Sequence, residues 1–246
     1  MEGENRMIFG AILAGGTGSR MGLTNMPKQF LELGDKPIII HTLQKFLLNL
    51  KFDVIYLGIH ENWTGYMEDL IEKYIADEEN KKRIKIISGG TDRNSTIMNI
   101  VEDIEENYTL NSEDIIVTHD AVRPFITSRI LEENIEMSLK YGACDTVISA
   151  IDTIVVSENN KIIKEIPNRQ YMYQGQTPQS FKVLELKKLY NELSKEEKGI
   201  LTDACKIFVI KGKEVHLVRG EISNLKITTQ EDYKIAQAMI GVKLNG

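Results

Sequence analysis

Short β-branched runs alternate with longer amphipathic stretches through the first 150 residues, and this alternation limits the available folds more than any other feature. Strand-like runs occupy Met7 to Leu13, Asp53 to Ile59, Arg83 to Ser88, Asp114 to Thr118 and Asp145 to Ala150. Helical patterns fill the gaps at Pro37 to Leu48, Trp63 to Ile75, Arg93 to Asn107 and Ser128 to Tyr141. Strand, helix, strand in repetition is the βαβ unit, so the spacing predicts an α/β fold whose mostly parallel sheet carries helices on both faces. Such sheets bind ligands at the carboxyl ends of their strands, beside a switch in strand order. The loops that follow strands are therefore the places to look for chemistry.

From Ala150 the rhythm breaks. "AIDTIVVSENNKIIKEI" reads as two strands joined by a polar Ser-Glu-Asn-Asn turn, with no helix to cover them. An uncovered ribbon predicts a projecting β-hairpin arm at about residues 150–173 and, through it, a homodimer. The pattern resumes with a helix near Lys182 to Leu193, a strand near Glu214 to Val218 and a last helix from Gln230 to Ile240. No repeat or Pro/Gly linker divides the chain, so one domain spanning 1–246 is expected.

Composition excludes several classes of function. Thirty basic against thirty-six acidic residues give a net charge of −6, the wrong sign for a nucleic-acid or anionic-membrane binder. Cys144 and Cys205 stand far apart without a C-x-x-C motif or clustered histidines, and read as reduced core thiols. The opening "MEGENRM" is polar and acidic, and no later run reaches transmembrane length. A cytoplasmic protein without membrane insertion is expected.

Three loops after strands carry candidate chemistry. "ILAGGTGSRMG", Ile12 to Gly22, sets four glycines and Arg20 directly behind the first strand. Gly16, Gly18 and Gly22 are spaced G-x-G-x-x-x-G, one residue off the dinucleotide fingerprint, and no Gly-Lys-Ser/Thr makes a P-loop. Lys28, in "MPKQFLEL", follows Arg20 by eight residues. The pair can set two permanent cations against a polyphosphate; incidental charges on a solvated loop are the plain alternative. "VTHDAVRPF", Val117 to Phe125, places Asp120 at a strand's carboxyl end, where a carboxylate can ligate Mg²⁺ that fills its remaining positions with water and phosphate oxygens. Arg123 can hold that loop, and His119 reads as a structural hydrogen-bonding residue. "SGGTDRNST", Ser88 to Thr96, brings two glycines and Arg93 to a helix start, a pocket for an anion or a base, with Thr91 or Asp92 also capping the helix.

Three such loops without a P-loop resemble the nucleotidyltransferases that activate sugars and alditols, over roughly residues 7–240. "LAGGTGSRMG…MPKQF" is similar to that family's nucleotide loop, and "GGTDRNS", "HDAVRPF", "TPQSF" and "NLKIT" resemble its cytidylyltransferase branch, which makes CDP-alditols. "MPKQF", "AIDTI", "YQGQTPQSF" and "LTDACKI" look closer to members that act on ribitol 5-phosphate for teichoic-acid synthesis than to those that act on methylerythritol phosphate for isoprenoids.

The resemblance implies a Rossmann-like nucleotidyltransferase domain and transfer of the cytidylyl group of CTP to D-ribitol 5-phosphate, giving CDP-ribitol and pyrophosphate. The alternative acceptor is 2-C-methyl-D-erythritol 4-phosphate. A non-catalytic nucleotide sensor would keep the glycines but would need neither Arg20, Lys28 nor a second phosphate site. By resemblance, Leu13, Ala14, Gly15 and Gly16, then Gly89, Gly90, Thr91, Asp92, Arg93, Asn94 and Ser95, hold CTP, with Ala121 beside them. Arg20 and Lys28 stabilise the transition state. Arg169, Lys226 and Thr153 position the acceptor phosphate. Other members carry Asp-Asn-hydrophobic-Lys where this chain has Ser223-Asn224-Leu225-Lys226, so a second metal-binding carboxylate is missing and Mg²⁺ falls to Asp120 alone. A reductase supplying the alditol phosphate is the further partner implied.

A short-chain dehydrogenase stays open as a reading from another class, with two features against it. The glycine spacing is wrong, and Tyr190 has Ser194 four residues on where a lysine is required.

Overall fold

The computed structural model describes residues 6–15 and 26–241. The elements run in the order β1 (Ile8–Ala14), β2 (Glu32–Leu33), β3 (Lys36–Pro37), α1 (Ile38–Leu47), β4 (Val54–Ile59), α2 (Thr64–Tyr74), α3 (Glu78–Lys82), β5 (Ile84–Ser88), α4 (Arg93–Asn107) and β6 (Ile115–Asp120). They continue with α5 (Ser128–Tyr141), β7 (Ala143–Ser149), β8 (Tyr173–Lys182), α6 (Val183–Asn191), α7 (Lys195–Gly199), α8 (Cys205–Ile210), β9 (His216–Arg219) and α9 (Gln230–Gly241). Seven strands make one sheet, β5-β4-β1-β6-β8-β7-β9. β5, β4, β1 and β6 are parallel, β8 runs against both its neighbours, and β9 returns parallel to β7. The chain builds outward from β1 through β4 to β5 and then crosses to β6 on the other side. That reversal puts the switch point at the carboxyl ends of β1 and β6, with the loop after β5 close by.

β1, β4 and β6 are buried on both faces, which explains their largely apolar sequences, while β5 at the edge is half-buried. On β1, Ile8, Ile12 and Ala14 pack with residues of α1, α2 and α5 on one face. Phe9 and Ala11, on the opposite side of the pleat, join α4, α6 and α8 on the other. A third, smaller core matters most for the site. Leu33, Ile38, Val122, Ile227 and Ala236, with Leu31 and Leu225 at its edge, tie together the segments after Lys28, Asp120 and Lys226. α5 ends where Gly142 takes φ 89°, a conformation that a side chain would strain. Among the described residues no helix is long and apolar enough to cross a membrane.

Two features depart from the expected pattern. β8, ten residues with Pro178, Gly175 and three glutamines, shows no apolar periodicity, yet it lies inside the sheet. Its register against β7 shifts between Asp145 and Val147, so Pro178 falls in the irregular stretch, where a missing N–H costs little. Tyr173 and Gln174 are exposed, and the buried Gln176, Thr177, Gln179 and Ser180 side chains each find a partner. The expected two-stranded arm is the second. The excursion between β7 and β8 is a hairpin with one isolated bridge, Val156 to Glu165, and Asn160 at φ 59° near its tip. Ile151, Val155, Ile162, Ile163 and Ile166 on it are exposed.

Candidate active site

A cavity of about 320 Å³ opens at the switch point. Leu13, Ala14 and Gly15 line it from the end of β1, Asp120, Ala121 and Val122 from the end of β6, and Gly90, Thr91, Asp92, Arg93 and Thr96 from the start of α4. Lys28, Gln29 and Lys226 complete the wall. Three segments far apart in sequence thus place Lys28, Arg93 and Lys226 in the wall of one cavity.

The glycine walls are close-packed backbone. A Cβ on Gly89 would lie 3.1 Å from the Cα of Gly15, and one on Gly90 would strike the Ser95 Oγ. Only glycine lets these two loops approach so closely, and the Gly89 N–H is fixed on Ile59 O at 2.7 Å. Behind them α4 opens on a capping box: the Asp92 carboxylate accepts from the Ser95 N–H at 2.8 Å, and the Ser95 Oγ accepts from the Asp92 N–H at 2.9 Å. Asp92, rather than Thr91, is the cap. Thr96 Oγ receives the Gly90 N–H at 3.0 Å and donates to Asp92 O at 2.8 Å, locking the loop from below.

Lys28 begins a short 3₁₀ turn to Phe30. Gln29 Nε2 donates to Ala14 O at 2.8 Å, and Phe30 is buried against Trp63 and Tyr66. These two anchors put Lys28 at the cavity wall. Lys226 comes from the loop between β9 and α9. There the buried Asn224 donates to Thr177 O at 2.8 Å, and Ile227 N–H donates to Val122 O at 2.9 Å.

Asp120 is the electrostatic centre. Lys226 Nζ lies 3.0 Å from Oδ2, Arg123 Nε 3.3 Å from the same oxygen, and Arg93 Nε 3.4 Å from Oδ1. Burial by itself would raise this carboxyl, but the charges of Arg93, Lys226 and Arg123 outweigh it and hold the group well below the usual carboxylate range. Arg123 also donates from Nη1 to Asn224 O at 2.7 Å, so it is a buried strut between two loops. As a metal ligand Asp120 offers one hard oxygen donor, and no group of three His, Cys, Asp or Glu side chains among the described residues could hold an ion by itself. That donor set fits Mg²⁺ bound largely by water and phosphate oxygens, with one carboxylate from the protein.

His119 is structural. Its Nε2–H donates to Arg123 O at 3.1 Å, which leaves Nδ1 to accept from Thr177 Oγ at 2.9 Å, and Thr177 Oγ in turn accepts from the Asp120 N–H at 3.2 Å. Burial pushes the imidazole down to about 4. Folding therefore holds it neutral while the unfolded chain takes up a proton near pH 6.5. Its contribution to stability is complete above that pH and is lost as pH falls toward 4. The stability difference between the parent and His119→Gln should narrow by about 2–3 kcal/mol between roughly pH 7.5 and 4.5. Urea unfolding at the two pH values measures it. A constant difference would mean that the imidazole is not held neutral. Asp145, pushed up by burial to about 6, acts in the opposite sense over the same range, and the comparison with the parent cancels it.

Of the other residues the resemblance implicated, Asn94 is buried behind the cavity, and Gly16 and Arg20 lie outside the described residues. Thr153 and Arg169 are exposed on the hairpin, away from the cavity of their own chain; Arg169 Nη1 donates to Ile151 O at 2.6 Å. Gln29, Thr96, Thr177 and Gln179 support the site; each lies in a stretch quoted above, but was given no role there. Their roles depend on partners many residues away.

The family described as 2-C-methyl-D-erythritol 4-phosphate cytidylyltransferase matches residues 8–242. A ribitol-5-phosphate cytidylyltransferase of Streptococcus pneumoniae serotype 2 (strain D39 / NCTC 7466) is 56% identical over 234 residues, 95% of this chain and 99% of the relative. The 4-diphosphocytidyl-2C-methyl-D-erythritol synthase of Anaerococcus prevotii DSM 20548 superposes with a TM-score of 0.78 at 28% identity, covering 96% of each chain. The 2-C-methyl-D-erythritol 4-phosphate cytidylyltransferase of Francisella tularensis shares the fold, with a TM-score of 0.76 at 24% identity over 94% of this chain and 99% of that one. A nucleotide-sized cavity walled by glycine backbone and ringed with cations, on this fold and with these relatives, places the chain in the cytidylyltransferase family as a CTP-dependent nucleotidyltransferase.

Proposed function

We propose that this chain transfers the cytidylyl group of CTP to D-ribitol 5-phosphate, forming CDP-ribitol and pyrophosphate, and so supplies an activated alditol for teichoic acid or a related polymer. The observation that carries the choice of acceptor is the 56% identity to the pneumococcal ribitol-5-phosphate enzyme, against 28% to the Anaerococcus methylerythritol enzyme, along nearly the whole chain in both cases. A phosphate oxygen of the acceptor attacks the α-phosphorus of CTP, the bond to the β-phosphate oxygen breaks, and pyrophosphate leaves with its electron pair. The nucleophile is already anionic, so no strong base is needed. The obstacle is repulsion between a dianion and a tetra-anion, and the protein's answer is positioning and fixed positive charge.

The residues divide that work. The close-packed glycine backbone lets the nucleotide approach the sheet, and the start of α4 offers it the positive end of the helix. Lys28, in the cavity wall, meets the triphosphate with Arg93 beside it, and Arg20 shares the transition-state role that the resemblance gives it. Lys226, held by Asp120, meets the acceptor phosphate. Asp120 would hold Mg²⁺ on the nucleotide, where the ion neutralises phosphate charge. Asp120→Asn should raise the Mg²⁺ concentration needed for half-maximal rate. Folding is checked first, since removing this carboxylate leaves buried Arg123 unpaired. An unaltered metal titration would free Asp120 from that role.

A composite site in a homodimer accounts for Arg169 and Thr153. Both project on an arm whose isoleucines are exposed, and a groove at its root is lined by Ile151, Tyr173, Leu217 and Ile222. Apolar surface of this kind supports a second copy covering it and receiving Arg169 at its site. A reductase that forms the alditol phosphate is the class of partner this reading implies.

Pyrophosphate release from each pairing of CTP, UTP or ATP with ribitol 5-phosphate or 2-C-methyl-D-erythritol 4-phosphate tests the assignment. CTP with ribitol 5-phosphate should be fastest. Equal use of UTP would remove the cytidylyl assignment, and preference for the branched acceptor would move the chain to the other branch.

A further inference from the structure

We propose that Gln179, oriented by Asp145, is a positioning residue that sets the Arg93 guanidinium in the wall of the nucleotide cavity. Gln179 is buried on β8, where its backbone carbonyl accepts from Thr118 Oγ at 2.9 Å. Its side chain spans two charged groups. Oε1 accepts from Arg93 Nη1 at 3.0 Å, and Nε2 donates to Asp145 Oδ1 at 3.1 Å. The contact from Arg93 to Asp120 is longer, 3.4 Å, and Arg93 Nη2 is buried with no hydrogen-bond partner among the described residues. Gln179 is therefore the best-formed anchor of a guanidinium that lines the cavity.

The chemistry of the amide explains why Asp145 is needed. Its two ends are nearly the same size, so shape alone does not choose between them. An ionised carboxylate only accepts and a guanidinium only donates, so Nε2 must face Asp145 and Oε1 must face Arg93. The flipped amide would set N–H against N–H at Arg93 and oxygen against oxygen at Asp145. Burial pushes the Asp145 carboxyl up to about 6; Asp203 adds to the rise, while the Gln179 amide and Arg93 oppose it. At about pH 8 the carboxylate is ionised and the orientation is set. This chain of contacts reaches the acceptor side only through the longer Arg93–Asp120 contact, since Asp120 also holds Lys226.

The inference rests on Arg93 facing the nucleotide, so Arg93→Ala is measured alongside, with CTP binding by calorimetry and the steady-state constants for both substrates, all at about pH 8. Gln179→Ala should weaken CTP binding about tenfold, as expected for losing a hydrogen bond to a charged group, and change the acceptor KM far less. Asp145→Asn frees the amide to flip and should weaken CTP binding to a smaller degree. Gln179→Glu sets two carboxylates together and should also be impaired. The double variant Gln179→Glu/Asp145→Asn keeps size and total charge but reverses the polarity: the asparagine donates, and the glutamate accepts from both sides. It should return CTP affinity to within about threefold of the parent, a coupling that only residues in direct contact show. Should Gln179→Ala fail to fold, this near-isosteric swap carries the test. Parental CTP affinity in folded Gln179→Ala, or a double variant no better than its weaker single, would overturn the positioning role. An Arg93→Ala variant that binds CTP normally would overturn the nucleotide-facing reading of Arg93 and the inference with it.

Discussion

Replacing Lys28 by alanine should cut kcat by roughly 10²–10³-fold, or about 2.7–4 kcal/mol, the range found when one preorganised electrostatic contact to a transition state is removed. The acceptor KM should change far less, because the ammonium matters most as charge redistributes on the α-phosphate and the pyrophosphate departs. The structural reason is local. Gln29 and Phe30 pin the turn that carries Lys28, so the cation is held at the cavity before substrate arrives and little reorganisation accompanies the reaction. Arg20→Ala should behave in the same way, on the strength of its place in the glycine-rich loop. Unchanged turnover in either folded variant, measured by pyrophosphate release, would contradict the role.

Mixing two inactive variants should restore activity if the arm works across a dimer. Lys28→Ala lacks the transition-state cation, and Arg169→Ala lacks the acceptor contact. In a hybrid dimer the chain that kept Lys28 receives an intact Arg169 from its partner, so one of the two sites is whole. Random reassortment makes about half of all dimers hybrid, and roughly a quarter of all sites should recover. The placement of Arg169 motivates the test. It is exposed, bonded to the root of its own arm and outside the cavity of its own chain. An arm that served its own chain would leave a lesion in every hybrid site. No recovery after confirmed subunit exchange would remove the shared site and leave the chemistry standing.

Much of this protein is readable from its residues one segment at a time. β-branched runs buried on both faces and helices of amphipathic period gave away the parallel half of the sheet, and with it the end of the sheet where the loops must gather. Helix α4 is expected and observed over Arg93–Asn107, because its start depends on contacts only three residues apart, between Asp92 and Ser95. Glycine loops behind strands, and an aspartate at a strand's end, likewise carry their meaning locally. The family resemblance rests on these same short stretches.

What the sequence alone left undecided depends on groups that meet only when the chain closes. β8 is polar, with a proline and a glycine in it, and nothing in its own pattern marks an interior strand. It is stable there because Thr118, Asp145, Arg93 and Asn224, drawn from four other segments, satisfy its buried polar groups. The arm reads as a two-stranded ribbon, but it keeps a single bridge, since a ladder with no covered face gains little from pairing. Asp120 reads from the sequence as a metal ligand, and only the fold shows that Arg93 and Lys226, from 27 residues before it and 106 after it, also pair with it. Local periodicity determined where the backbone runs and which end of the sheet holds the site. The charge state and aim of the side chains there were decided by tertiary structure, because Coulombic and hydrogen-bond partners act through distance in space and are blind to separation along the chain.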